Sequence, residues 1–161
     1  EIESWLTRNR TKMGAVVGFD VEWRPTFRSG APINRVSVLQ LCVGSEVLVA
    51  SVNRLSRLPR ALQSVLGDAS VALVGVGAVA DAVKLSKDWG VRVVGAKDVE
   101  VKHEGNLMSL QNLAQSLFHT PKWKSKKLSL SNWERVPLSA PQLTYAALDA
   151  FWSFWIHREI E

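Results

Sequence analysis

The sequence predicts an α/β protein built on a mixed β-sheet, an antiparallel meander followed by parallel strands, with α-helices flanking it. Two observations carry this. Three β-patterned runs follow one another near the start, the second and third joined by a two-residue turn, which argues for antiparallel neighbours. Beyond them, short apolar runs alternate with segments of helical period, as expected where helices connect buried parallel strands.

Ala15 to Trp23 is apolar and partly β-branched and reads as a central strand. Val36 to Val43 makes a second. Gly44-Ser45 is a hairpin turn of the kind with glycine first, and Glu46 to Ala50 returns as a third strand. Leu55 to Leu66 carries Leu and Val at helical spacing. Val71 to Val76 has the continuous apolar character of a buried strand. Ala78 to Trp89 is helical and ends at Gly90. Val91 to Val94 reads as a further short strand, Leu107 to Phe118 as a helix, and Pro121 to Asn132 as a basic loop. The last helix has a marked start: Ser139 as N-cap, Gln142 completing a capping box, and Leu138 with Leu143 as a hydrophobic staple. The order βββαβαβαα matches a ribonuclease H-like arrangement better than a doubly wound parallel sheet.

The 161 residues, 47% apolar, suit one domain with one core. No apolar run has the length to cross a membrane, and no signal-peptide pattern opens the chain. The chain starts at Glu1 and stops inside a helical pattern at Ile160-Glu161. The expectation is one domain over 1–161, excised from a longer protein and intracellular, either nuclear or cytoplasmic. The single cysteine, Cys42, excludes an internal disulfide and a thiolate metal cluster and reads as a small buried hydrophobe. A net charge of +5 is weak evidence alone. It gains weight if several carboxylates are gathered into one site, because the remaining surface is then more basic.

The acidic residues are the informative exceptions within apolar segments. Asp20 and Glu22 stand two apart in the first strand and therefore share a face. Two such carboxylates repel unless a cation lies between them, and hard divalent cations take oxygen ligands. Asp81 falls in the first turn of the helix after Gly75-Val76-Gly77. Tyr145, the only tyrosine, and Asp149 lie four apart on one face of the last helix. Their neighbours Ala146, Ala147 and Ala150 are small enough to let that helix approach the sheet closely. Taken singly, each has a plainer reading: Asp81 as a dipole-compatible or solvated residue, Asp149 as an exposed charge, Tyr145 as a core-edge residue. The combination is more specific than any part.

Three segments in order, Phe19-Asp20-Val21-Glu22-Trp23, Gly75 to Leu85 with Asp81 and Lys84, and Leu138 to Ala150 with Gln142, Tyr145 and Asp149, resemble the three motifs of DEDDy-type 3′-5′ exonucleases. The chain is most similar to the Werner syndrome exonuclease-like group, with RNase D more distant, and Leu128 to Glu134 resembles the stretch before the third motif in that group. The resemblance runs from about Gly14 to Ile156. It implies two divalent ions, Mg²⁺ or Mn²⁺, held by Asp20, Glu22, Asp81 and Asp149, one activating a water and the other stabilising the leaving 3′-oxygen. It implies that Tyr145 orients that water or helps take its proton, that the products are nucleoside 5′-monophosphates, and that attack starts from 3′ ends. Ala78 and Ala80 depart from residues common in the second motif, and His157 stands where an aromatic is frequent; none of these removes a ligand.

Lys122, Trp123, Lys124, Lys126 and Lys127 form a basic, aromatic-bearing loop suited to tracking phosphates; a solvated loop is the plainer alternative. Arg24 and Arg28 follow the first motif and are candidates to flank a substrate end. Trp23 is a candidate to stack on a terminal base, although strand alternation turns it away from Glu22. Arg54, Arg57 and Arg60 read as a solvated face of the first helix. The expected partners are single-stranded or recessed 3′ ends of DNA or RNA, with no membrane. Two other readings compete. Gly75 to Ala80 matches a Gly-x-Gly-x-x-Gly/Ala dinucleotide fingerprint, with Asp98 at a suitable distance downstream, but an NAD-binding protein leaves Asp20, Glu22, Tyr145 and Asp149 unexplained. A catalytically silent nucleic-acid-binding or scaffolding module of the same fold is the other; it would have no need of all four acids.

Overall fold

A computed structural model describes residues 1–161. Five strands form one mixed sheet in the order β3-β2-β1-β4-β5: β1 (Val16–Glu22), β2 (Val38–Val43), β3 (Glu46–Ser51), β4 (Ala72–Gly75) and β5 (Ala96–Asp98). β1 pairs antiparallel with β2 and parallel with β4, and β4 pairs parallel with β5. The hairpin is as expected: Val43 faces Glu46 across Gly44-Ser45, with Gly44 at φ +61°. The whole is a ribonuclease H-like fold.

Alternation along β1 sorts its residues between two helical layers. Val17, Phe19 and Val21 face a core shared with α1 (Ile2–Asn9), α2 (Arg60–Leu66) and α3 (Ala78–Trp89), through Trp5, Leu6, Leu62, Leu66, Ala82 and Leu85. Each large apolar side chain buried there contributes about 1.5–3 kcal/mol. Gly18, Asp20 and Glu22 face the other way, toward α6 (Ala140–Ile160), which crosses β1, β2 and β4. α4 (Leu110–Phe118) packs beside α6 over Val74, Leu113, Ala114 and Ile156. No helix is long and apolar enough to cross a membrane.

Gly18 sets how close α6 lies. A Cβ at that position would run into the Ala150 carbonyl oxygen and the Phe154 side chain. Ala146 and Ala150 are fully buried on the facing side of α6, the close approach expected from small residues. The start of α6 also matches: Ser139 caps Gln142 N–H while the Gln142 side chain returns to Ser139 N–H, worth about 1 kcal/mol.

Four expectations need correction. Leu55 to Leu66 is helical only from Arg60, because Pro59 cannot sit within the helix and serves as its N-cap; Arg54 and Arg57 therefore precede the helix. Val91 to Val94 is not a strand. The pairing segment is Ala96–Asp98, after Gly95 at φ +73°. Leu107 belongs to a small hairpin, β6 (Lys102–His103) and β7 (Asn106–Leu107), and α4 begins only after its N-cap Ser109. The basic loop contains a short helix, α5 (Lys126–Ser129). α1 was not expected at all: its charged, Arg-rich surface hides a buried stripe of Trp5, Leu6 and Asn9.

Candidate active site

β4 stops at Gly75, beside Phe19, while β1 continues to Glu22. The last residues of β1 thus extend past their parallel neighbour, at the carboxyl ends of adjacent parallel strands where open α/β sheets place their sites. The turn Gly75-Val76-Gly77, with Gly77 at φ +85°, starts α3 across this gap and carries Asp81 to it. From the opposite layer α6 brings Tyr145 and Asp149. The result is a cavity of about 280 Å³ lined by Asp20, Glu22, Trp23, Asp81, Lys124, Ser129, Tyr145 and Asp149 among others. Residues from four separate parts of the sequence meet there.

Asp20, Glu22 and Asp149 each offer a carboxylate oxygen, all within 4.8 Å of one another. Asp81 stands beside Asp20 and lies outside that tight group of three. Burial raises every one of these acids, and repulsion within the group adds to it at Asp20 and Glu22. Asp20 lies well above the usual carboxylate range through burial and then the charges of Asp149, Glu22 and Asp81. Glu22 is pushed up to about 8 by burial and then Asp149. Asp81 rises to about 6 through burial, with Asp98 adding to it and a hydrogen bond from the Asp20 carboxyl opposing it. Asp149 is raised by burial and partly restrained by Lys124 and Trp123. This is a site with more negative charge than its surroundings neutralise. Its donors are all hard oxygens, the type that divalent cations such as Mg²⁺ and Mn²⁺ accept, so the residues fit such an ion.

Tyr145 is buried against Trp133, whose ring centroid lies 5.8 Å away. Trp133 is itself fully buried and donates its indole N–H to the Ser129 carbonyl at 3.1 Å. It therefore supports the tyrosine and ties α5 to α6. Burial, then Asp149, Glu22 and Asp20, hold the Tyr145 phenol above its ordinary pKa. The hydroxyl is therefore neutral at ordinary pH.

The candidate nucleic-acid residues separate into groups. Trp123 Nε1 donates to Asp149 Oδ1 at 2.8 Å and Lys124 Nζ donates to Asp149 Oδ2 at 2.7 Å. These two belong to the acid site itself, a link that spacing alone did not reveal. Gln111 Oε1 accepts from the backbone N–H groups of both Trp123 and Lys124 and fixes the segment to α4. Lys122, Lys126 and Lys127 are exposed nearby. Arg24 is exposed and paired with Glu134 at 3.3 Å, and Arg28 is exposed in the loop after β1. Trp23 packs toward the α3 core with Lys84 Nζ 4.7 Å from its ring centroid. That ring face is covered by Lys84, as alternation away from Glu22 anticipated. Ser129 and Leu130 line the cavity without having been singled out; nothing in their spacing marks them. Gly18 did carry a signal, since an isolated glycine in a strand often marks close backbone approach.

The dinucleotide reading fails on geometry. Asp98 Oδ1 accepts from Val79 N–H at 3.0 Å, so the start of α3 that would cradle a pyrophosphate is capped by the very carboxylate that reading assigns to a ribose. Cys42 is buried, with its thiol pushed up to about 12 by burial, in keeping with an inert packing role.

Residues 2–161 match a family model described as 3′-5′ exonuclease. The chain is 34% identical over 162 residues to a 3′-5′ exonuclease of Arabidopsis thaliana, covering 97% of this chain and 56% of that one. It is 32% identical over 157 residues to the mouse (Mus musculus) bifunctional 3′-5′ exonuclease/ATP-dependent helicase WRN, covering 94% of this chain and 11% of that one. Among solved structures, the Nibbler EXO domain of Aedes aegypti matches with a TM-score of 0.74 at 23% identity, covering 99% of this chain and 84% of that one. The EXD2 exonuclease domain soaked in Mn and GMP matches with a TM-score of 0.51 at 28% identity, covering 98% of this chain and 83% of that one. The chain spans about half the length of the first curated relatives it matches, 56% and 52%. Matched along almost its whole length by a family model and by curated relatives, the chain belongs to the 3′-5′ exonuclease family.

Proposed function

We propose that this chain is a 3′-5′ exonuclease of the DEDDy type, removing nucleoside 5′-monophosphates from nucleic-acid 3′ ends by hydrolysis that depends on two divalent ions. The observation that carries the reading is the convergence of Asp20, Glu22, Asp81, Tyr145 and Asp149 on one cavity. Its support from relatives is that the EXD2 exonuclease domain, 28% identical, was studied with Mn and GMP. Asp20, Glu22 and Asp149 would hold one ion, with Asp81 completing the set for a second. When bound, such ions supply charge neutralisation for the phosphodiester and an activated water.

The protein's own groups do the rest. The four carboxylates must lose their protons to act as ligands, and their crowding makes them depend on a cation to do so. Tyr145, held in place by Trp133, offers a neutral hydroxyl that can orient an attacking water in line with the scissile bond. Lys124 lies close enough to the site to reach a substrate phosphate once released from Asp149. Exposed Lys122, Lys126 and Lys127 continue a basic path along which a strand can lie. Arg24 and Arg28, exposed after β1, would approach the substrate end from that loop. We propose single-stranded or recessed 3′ ends of DNA or RNA as substrates and the domain over 1–161 as the catalytic unit.

The test is a 3′-labelled oligonucleotide incubated with Mn²⁺ or Mg²⁺. Wild type should release labelled mononucleotide, and an Asp20→Ala, Glu22→Ala double variant should not. Equal loss of label from both would overturn the enzymatic reading in favour of a silent binding module.

A further inference from the structure

Gln40 lies in the middle of β2, is 0% exposed, and neither its Nε2 nor its Oε1 has a hydrogen-bond partner. Such a group is disfavoured in a protein interior unless its position serves a purpose. Its surroundings are defined by the sheet register. On β1 it stands directly opposite Asp20, and on β3 directly opposite Val49. Its neighbours along β2 on the same face are Val38, which packs with Trp133, Tyr145 and Ala146, and Cys42, which packs with Ala150 and Phe154. α6 therefore covers Gln40 along the stretch that carries Asp149. Of the residues beside it on this sheet face, Asp20 is the one directly paired partner with a polar side chain.

The geometry points to Gln40 as a positioning residue for Asp20: its Nε2–H would donate to one Asp20 oxygen and turn the other toward a divalent cation in the cavity. A cross-strand pair sets Cβ atoms about 4.5–5.5 Å apart, a gap that a glutamine side chain crosses by changing its torsions. Groups that orient a ligand from behind tune metal affinity strongly. The inference rests on the metal-dependent reading above and adds a residue to it that touches neither substrate nor ion.

The test compares Gln40→Met with wild type by calorimetric titration of Mn²⁺ and by thermal melting in chelator. Methionine keeps the length and removes both unpaired polar atoms, so the melting temperature should be no lower than that of wild type. The Mn²⁺ dissociation constant should rise by about tenfold or more. Cys42→Ala, the next position on the same face, is the packing control: it should lower the melting temperature and leave Mn²⁺ affinity within about twofold. Gln40→Met binding Mn²⁺ as tightly as wild type, or Cys42→Ala weakening it equally, overturns the assignment and leaves the exonuclease reading standing. A wild type that binds no Mn²⁺ removes both. Gln40→Leu repeats the measurement if the methionine variant fails to fold, and failure of both variants contradicts the expected stability and counts against the proposal.

Discussion

Asp149 receives two donors from adjacent residues, the Trp123 indole and the Lys124 ammonium. In the structure Lys124 supplies the positive charge that the acid cluster lacks, so a divalent ion has to compete with it. Lys124→Met should therefore tighten Mn²⁺ binding severalfold while raising the KM for an oligonucleotide, because the same ammonium would be lost to the substrate phosphate. Titration of Mn²⁺ beside steady-state kinetics separates the two; unchanged Mn²⁺ affinity would remove the competition. Tyr145→Phe keeps the ring packed on Trp133 and deletes only the hydroxyl. It should lower kcat by about 10²-fold, the usual loss on removing one positioned hydrogen-bonding group, with Mn²⁺ affinity nearly unchanged. A single-turnover rate equal to wild type would exclude the water-orienting role. Asp20 with Glu22, and Tyr145 with Asp149, were legible as pairs because the two-residue strand period and the four-residue helix spacing translate directly into shared faces, whereas Asp81 joined them only through the resemblance of its segment to the second motif. The partners of Asp149 were not, since no local period connects Trp123 and Lys124 to a residue 25 or 26 positions away.

At the scale of elements, the site depends on the separation of β1 and α6, and Gly18 controls it. Gly18→Ala would place a Cβ against the Ala150 carbonyl and Phe154. A backbone carbonyl cannot yield as a flexible side chain can, so α6 must move. The expected loss is about 1–3 kcal/mol of stability from overpacking. Activity should fall further than stability, because Asp149 and Tyr145 ride on the displaced helix. Thermal melts with Mn²⁺ titration check this; a variant that melts normally and binds Mn²⁺ normally would show that the approach is not critical. Elements bounded by strong local chemistry, Gly44 in the hairpin, Gly90 after α3, and Ser139 with Gln142 before α6, fell where the sequence placed them. Those set by tertiary pairing moved. β5 forms after Gly95 because that is where the chain meets β4, with Leu73 opposite Ala96. α1 escaped notice because its burial depends on α2 and β3, while its own pattern is dominated by surface charge.

At the scale of the molecule, four of the fifteen acids gather in one cavity with one of the twenty lysines and arginines, Lys124, leaving eleven acids against nineteen basic residues elsewhere. The concentration of acid has a consequence for stability. Glu22 rises from an ordinary 4.5 to about 8 and Asp81 from 3.8 to about 6, and Asp20 and Asp149 move in the same direction. A carboxyl with a raised native pKa binds its proton more tightly when folded. Its contribution to stability is full below the unfolded pKa and is lost as pH climbs through the native one. In chelator, the melting temperature should therefore fall between about pH 4.5 and about pH 8. Divalent ions bind the deprotonated cluster, so the stabilisation from a fixed Mn²⁺ concentration should grow across the same window and offset the fall. Melting curves at a series of pH values, with and without Mn²⁺, test both parts. A chelator curve that rises across the window would mean that the acids are not crowded and desolvated in solution as they are here. An equal Mn²⁺ effect at both ends would place the ion away from Asp20, Glu22, Asp81 and Asp149, because binding there must displace protons at the acid end and few at the alkaline end.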